Sequence, residues 1–337
     1  MPHALHSAVK VRPLRFTDLQ GRDCALKAEG ACRLDFLVAG AEAAGLGASV
    51  ATAALWGLGA VVARIGMVKA RPALVNFIGV LVALPMLLAI LVGTSQSLAG
   101  IGLTWSLVAV LVGVALCSQV LGPLFNYDSI RFIGASRSVT FSSTRIIFST
   151  ALGVILLGEG LTLGEATGTV LIVASVLALT AGPGSRSASR SFRMGRGSSE
   201  AVVSAFVFSV GNVLTRTAAV GVGSAAAANL LADLLAAPMM LVALALDHRE
   251  MELSGTDRKT WVLLVLTGAV FALASYTFFV ALSVAPVVYV IPLSSSSPLF
   301  TITFSLAAIR GMEDVNKAVV LGALLAILGS FLVAMVG

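Results

Sequence analysis

Apolar runs of about 20 residues follow one another from Gly45 to the C-terminal end. No other feature of the chain limits its fold so severely. A helix needs roughly 20 apolar residues to cross the hydrocarbon core of a bilayer. Lipid offers the backbone no partner, so each such run must bond within its own helix. Ten runs can be marked, at 45–64, 72–93, 104–126, 134–157, 163–182, 199–218, 224–246, 260–282, 286–309 and 316–336. Charged residues make up 11% of the chain, against about 25% in soluble domains. The expected fold is an all-α polytopic membrane protein with ten transmembrane helices, and the lipid bilayer is its first partner.

The net charge of +6 does not signal nucleic acid. The basic residues sit in loops between apolar runs, where topology signals belong. Fourteen of them, from Arg64 to Lys317, fall in the loops after the first, third, fifth, seventh and ninth runs. Only Arg216 falls in the other loops. The positive-inside rule would put the fourteen in the cytoplasm and both chain ends outside. Cys24, Cys32 and Cys117 lack metal-ligand spacing, the three histidines lie outside the runs, and no HExxH, P-loop or CxxC pattern occurs. No metal or cofactor is expected. Residues 1–44 have mixed charge and lack the apolar core of a signal peptide. They read as a poorly ordered tail, or as the product of a mis-assigned start.

A stretch rich in Gly, Ser and Arg (183–198) divides the runs five and five. The halves, 45–182 and 199–337, match one another. "WGLGAVVAR" (56–64) lies over "FSVGNVLTR" (208–216), pairing Gly59 with Gly211 and Arg64 with Arg216. "NFIGVLVALPM" (76–86) lies over "NLLADLLAAPM" (229–239), pairing Asn76 with Asn229 and Pro85 with Pro238. "LLGEGLTLGEATGTVLIVASVLAL" (156–179) lies over "IRGMEDVNKAVVLGALLAILGSFL" (309–332). Five spans is an odd number, so two consecutive halves must cross the membrane in opposite senses. Inverted repeats around a midplane site are a transporter design.

"ALSVAPVVYVIPLSSSSPLF" (281–300), followed by Glu313 and "GALLAILGSFLVA" (322–334), resembles an EamA domain. "SIRFIGASRSVTFSSTRIIF" with "LLGE" and "GTVLIVASVLAL" resembles a second, more divergent copy. From about residue 45 onward the chain resembles the ten-helix branch of the drug/metabolite transporter superfamily. That resemblance implies ten helices around a central cavity, lined mainly by the first, third and fourth helices of each half. It also implies transport without ATP, and both chain ends inside, against the charge bias. One departure stands out. The second half carries Pro298 at the family's proline position, whereas the first half has Ile146 there with Arg145 beside it.

Arg145 lies within the fourth apolar run. An ionisable group in a span should face a cavity or a partner rather than lipid. At helical spacing Ser138, Phe141, Ser142, Arg145 and Ser149 form one stripe. At an offset of 152, Ser142, Arg145 and Ser149 meet Ser294, Ser297 and Thr301. The two polar stripes would face one another as a substrate-binding pocket, with Asn212, Trp56 and Tyr276 as further lining. The plainer readings are serines bonded to the preceding turn and an Arg145–Asp233 ion pair. Asp233 could instead couple transport to a proton. Asn76 and Asn229 recur in both halves, which favours a structural bond between helices. Glu159 and Glu313 read as loop caps, Tyr289 as a pocket wall or interface aromatic, and Pro286, Pro292 and Pro298 as sources of bending.

These features point to a secondary transporter of the plasma (inner) membrane. It would export a small metabolite with an anionic group by alternating access, with Arg145 holding the anion. A homodimer is the candidate assembly. The rival within transport is efflux of lipophilic cations or drugs, which a free Asp233 would favour. The rivals from other classes are a membrane-embedded lipid-modifying enzyme and a structural scaffold.

Overall fold

A computed structural model describes residues 28–67, 70–94, 102–142, 144–157, 163–164, 166–168, 170–171, 174–175, 195–246, 257–308 and 317–336. Its regular elements are helices. They are α1 (Ala28–Gly66), α2 (Pro72–Gly93), α3 (Trp105–Ile133), α4 (Ala135–Ser142), α5 (Arg145–Leu152), α6 (Arg196–Val222), α7 (Ala225–Leu246), α8 (Arg258–Val284), α9 (Val287–Ser294), α10 (Ser297–Ala308) and α11 (Lys317–Val336). The chain divides into two units, Met1–Gly40 and Ala41–Gly337. The described part of the first is helix from Ala28, so part of the stretch read as tail is the start of α1. Its sequence there, AEGACRLDFLVAG, holds no proline to break a helix.

Local chemistry sets the helix ends. Thr104 accepts from the Leu107 amide at 3.3 Å and Asp257 from the Thr260 amide at 3.1 Å, capping α3 and α8. Pro72 opens α2, where its missing N–H is no loss. α6 stops at Gly223, whose φ of 73° suits glycine best.

Among the described residues six helices are long and apolar enough to cross a membrane: Ala44–Gly66, Pro72–Gly93, Trp105–Ile133, Arg196–Val222, Ala225–Ala245 and Arg258–Val284. They agree with the first three spans of each half, though the third runs on to Ile133. The fourth and ninth spans are interrupted. Each is two short helices, α4 with α5 and α9 with α10. The linker, Glu159, Glu313 and most of the fifth span lie outside the described residues.

The two breaks are copies of each other. In the first, the Thr144 amide bonds to the Phe141 carbonyl (3.1 Å) and the Ile147 amide to the Thr144 carbonyl (3.0 Å). In the second, the Ser296 amide bonds to Leu293 (3.2 Å) and the Leu299 amide to Ser296 (3.0 Å). The hydroxyls of Thr144 and Ser296 repeat the pattern, donating to Phe141 and Leu293 at 2.8 and 2.7 Å. Each atom recurs 152 positions later. The arginines keep the same register in themselves and in one partner each, Ile130 against Leu282. Arg64 on α1 donates to the carbonyls of Ile130 (3.0 Å) and Arg131 (2.7 Å), and Arg216 on α6 to those of Leu282 and Ala285 (2.8 Å). Both arginines therefore donate to carbonyls at the C-terminal end of a helix. The halves also interleave: α2 packs on α7 and α8, and α6 on α3, α4 and α5.

Candidate functional site

A cavity of about 140 Å³ lies among the long helices. Its walls are built from equivalent positions of the two halves carrying unlike chemistry. Trp56 and Phe208, Ala60 and Asn212, Gln119 and Phe271, Pro123 and Ser275, Asn126 and Phe278, Tyr127 and Phe279, and Arg145 and Ser297 all line it, each pair 152 residues apart. Val80 and Asp233, which the Asn76–Asn229 register makes equivalent, line it too. The scaffold repeats, but its chemistry does not. Where the first half offers Gln119, Asn126 and Tyr127, the second offers three phenylalanines.

Arg145, 9% exposed, begins α5 just after the first break. Its guanidinium reaches the second break, donating from Nε to the Ser295 hydroxyl (3.1 Å) and from Nη2 to the Ser294 carbonyl (3.2 Å). It also lies 4.4 Å above the Trp56 ring, a cation–π arrangement. Pro298 makes this possible. Four residues past Ser294 it has no N–H to offer that carbonyl, so the oxygen stays open to Arg145. The equivalent Ile146 keeps its N–H. The sequence departure between the halves is thus one interaction seen from both ends.

Asp233, 2% exposed, stands elsewhere on the cavity wall. Its carboxylate accepts a short hydrogen bond from the Gln119 side-chain amide. Gln119 also reaches Asn229 Oδ1 at 3.3 Å, and the Ser275 hydroxyl donates to the same oxygen at 3.1 Å. Gln119 sits in a π-helical segment, Ala115–Leu121, of the kind that often marks functional sites. Pro123, four residues on, leaves the Gln119 carbonyl free, and Asn76 Nδ2 fills that role at 2.9 Å. The Nδ2 of Asn229 is buried and has no hydrogen-bond partner among the described residues. Among the described residues no ion pair joins Arg145 to Asp233.

The structure brings six of the expected residues to one cavity: Arg145, Ser142, Ser297, Asn212, Trp56 and Asp233. The remaining five serve packing or bonding outside its wall. The Ser138 hydroxyl is buried with no partner among the described residues, and Ser149 accepts from Asn212 Nδ2 at 3.2 Å. Ser294 lends its carbonyl to Arg145. Thr301 bonds to the Ser297 carbonyl at 2.9 Å, and Tyr276 packs among apolar residues of α2 and α7. Ser142 itself donates to Asn126 Oδ1 at 3.3 Å. The partners that Arg145 takes are Ser294 and Ser295 rather than Ser142 or Ser297. Sequence reasoning missed Gln119 and Asn126. Their third run is mostly apolar and carries no charge, and the signal that could have exposed Gln119 is the proline four residues after it.

A search of the curated proteins finds no match to this chain. Among solved structures, one described as "Crystal structure of protein" superposes with a TM-score of 0.66 at 17% identity, covering 86% of this chain and 96% of that one, a likeness of fold. The EamA-like transporter family model matches residues 43–181 and again 196–335, once for each repeat. The chain therefore belongs to the EamA-like transporter family, a family of membrane transporters.

Proposed function

We propose that this protein is a secondary transporter of the inner membrane that exports a small metabolite bearing an anionic group. The reading rests on one observation: a guanidinium on the wall of a central cavity, held by neutral groups and an aromatic ring rather than by a carboxylate. A charge buried in a bilayer is expensive, roughly 2.5–3.5 kcal/mol on insertion scales. An anionic substrate would offset that cost and gain charge-assisted hydrogen bonds. The five-span halves, expected to be inverted, would rock about the cavity so that it opens to each side in turn. The matched helix breaks beside Arg145 supply flexible points in both halves. Cation efflux is the second reading, and the carboxylate of Asp233, bonded to a neutral amide, is what favours it.

Alternating access can be tested without knowing the substrate. Replace Cys24, Cys32 and Cys117 by Ser, introduce Ser297→Cys, and treat right-side-out and everted vesicles with a membrane-impermeant thiol reagent. Alkylation from both sides is expected. Alkylation from one side only would count against a transporter and for an enzyme or scaffold.

A further inference from the structure

We infer that the cavity takes a zwitterion, its anionic group meeting Arg145 and its cationic group meeting Asp233. This rests on the transporter reading above and narrows it from an anion to a molecule with both charges. Arg145 and Asp233 line the same cavity and form no ion pair. Each is deeply buried, and among the described residues each bonds neutral groups alone: Ser294, Ser295 and the Trp56 ring for the cation, Gln119 for the anion. Burying one charge without its counter-charge is costly, and here two of opposite sign are kept apart.

Neither charge follows from the repeat. The equivalents of Arg145 and Asp233 are Ser297 and Val80, both on the cavity wall and both neutral. The sequence thus adds one charge to each half, at positions that are not equivalent. A simple anion would satisfy Arg145 and leave Asp233 bare, and a simple cation would do the reverse. A zwitterion satisfies both and adds no net charge to the site during the crossing. Beside Asp233, the partnerless amide nitrogen of Asn229 is a second sign of an incomplete polar cluster.

The test uses the purified full chain and the ω-amino carboxylates from glycine to 6-aminohexanoate. Each is paired with the alkanoate and the alkylamine of matching length, and binding is followed by calorimetry. The series scans charge separation. At least one zwitterion should bind about tenfold or more tighter than both of its partners, as one added charged hydrogen bond allows. Asp233→Asn should reduce that zwitterion to the level of its alkanoate while leaving alkanoate binding in place, which also shows that the variant is folded. Alkanoates binding as well as zwitterions, with Asp233→Asn silent, would overturn the zwitterion and leave the anion reading standing. Binding of alkylamines alone, or of nothing in the series, would overturn both.

Discussion

Arg145 donates from Nη2 to the Ser294 carbonyl at 3.2 Å, which ties the break in one repeat to the break in the other. Pro298 leaves that oxygen open, so the contact depends on a proline in one half and an arginine in the other. Pro298→Ala restores an N–H to the first turn of α10. The Ser294 carbonyl should then accept from within the helix and α9 and α10 should join. Amide exchange at residues 296–300 is expected to slow. Unchanged exchange there would mean that the break does not depend on the missing donor.

Arg145 presents a planar group to a ring and two oxygens at once, which a lysine ammonium does not reproduce. Arg145→Lys should therefore keep the charge yet weaken binding of an anionic ligand by roughly tenfold, about the worth of one charged hydrogen bond. Titration of that ligand against wild type and variant checks it. Equal affinity would show that charge alone suffices.

Two glycines on α1 offer a controlled comparison. A Cβ on Gly57 would lie 2.7 Å from the Phe300 Cβ and 2.8 Å from the Thr301 nitrogen, and so against backbone that cannot step aside. A Cβ on Gly47 would meet nothing within 4 Å. Gly57→Ala should destabilise by about 1–3 kcal/mol, while Gly47→Ala should be neutral or slightly stabilising. Thermal unfolding in detergent separates the two.

Much of this was legible in the sequence. Run lengths located six spans, because lipid forces hydrogen bonding inside each helix. The repeat was legible too, and its register of 152 carries down to single hydrogen bonds at the two breaks. Arg145 stood out because a charge in an apolar run is rare. The breaks themselves were not legible as such. The serines around Arg145 fit a helix as readily as a turn, and only tertiary contacts show which hydroxyls turn toward the cavity. Ser149 shares the stripe with Arg145, and Thr301 is its equivalent on the opposite stripe, yet both bond elsewhere. Gln119 was hidden because one amide barely disturbs an apolar run.

Arg216 bears on orientation. It was the exception to a charge bias of fourteen loop cations, and it serves as a carbonyl partner at the end of α8. Arg216→Ala should lower stability by about 1–3 kcal/mol without changing topology. If the charge bias governs, a periplasmic phosphatase fused after Gly337 is active in both wild type and variant. A fluorescent cytoplasmic reporter at the same point would place both chain ends inside, as the family resemblance implies.

The central claim is that Arg145 in the cavity binds the substrate's anionic group. It is tested most directly by a thermal-shift screen of short carboxylates, phosphate monoesters and amines against purified wild type and Arg145→Gln. The account predicts that at least one anion-bearing compound raises the melting temperature of wild type and leaves that of Arg145→Gln unmoved. Stabilisation retained in Arg145→Gln, or stabilisation by amines alone, would contradict it.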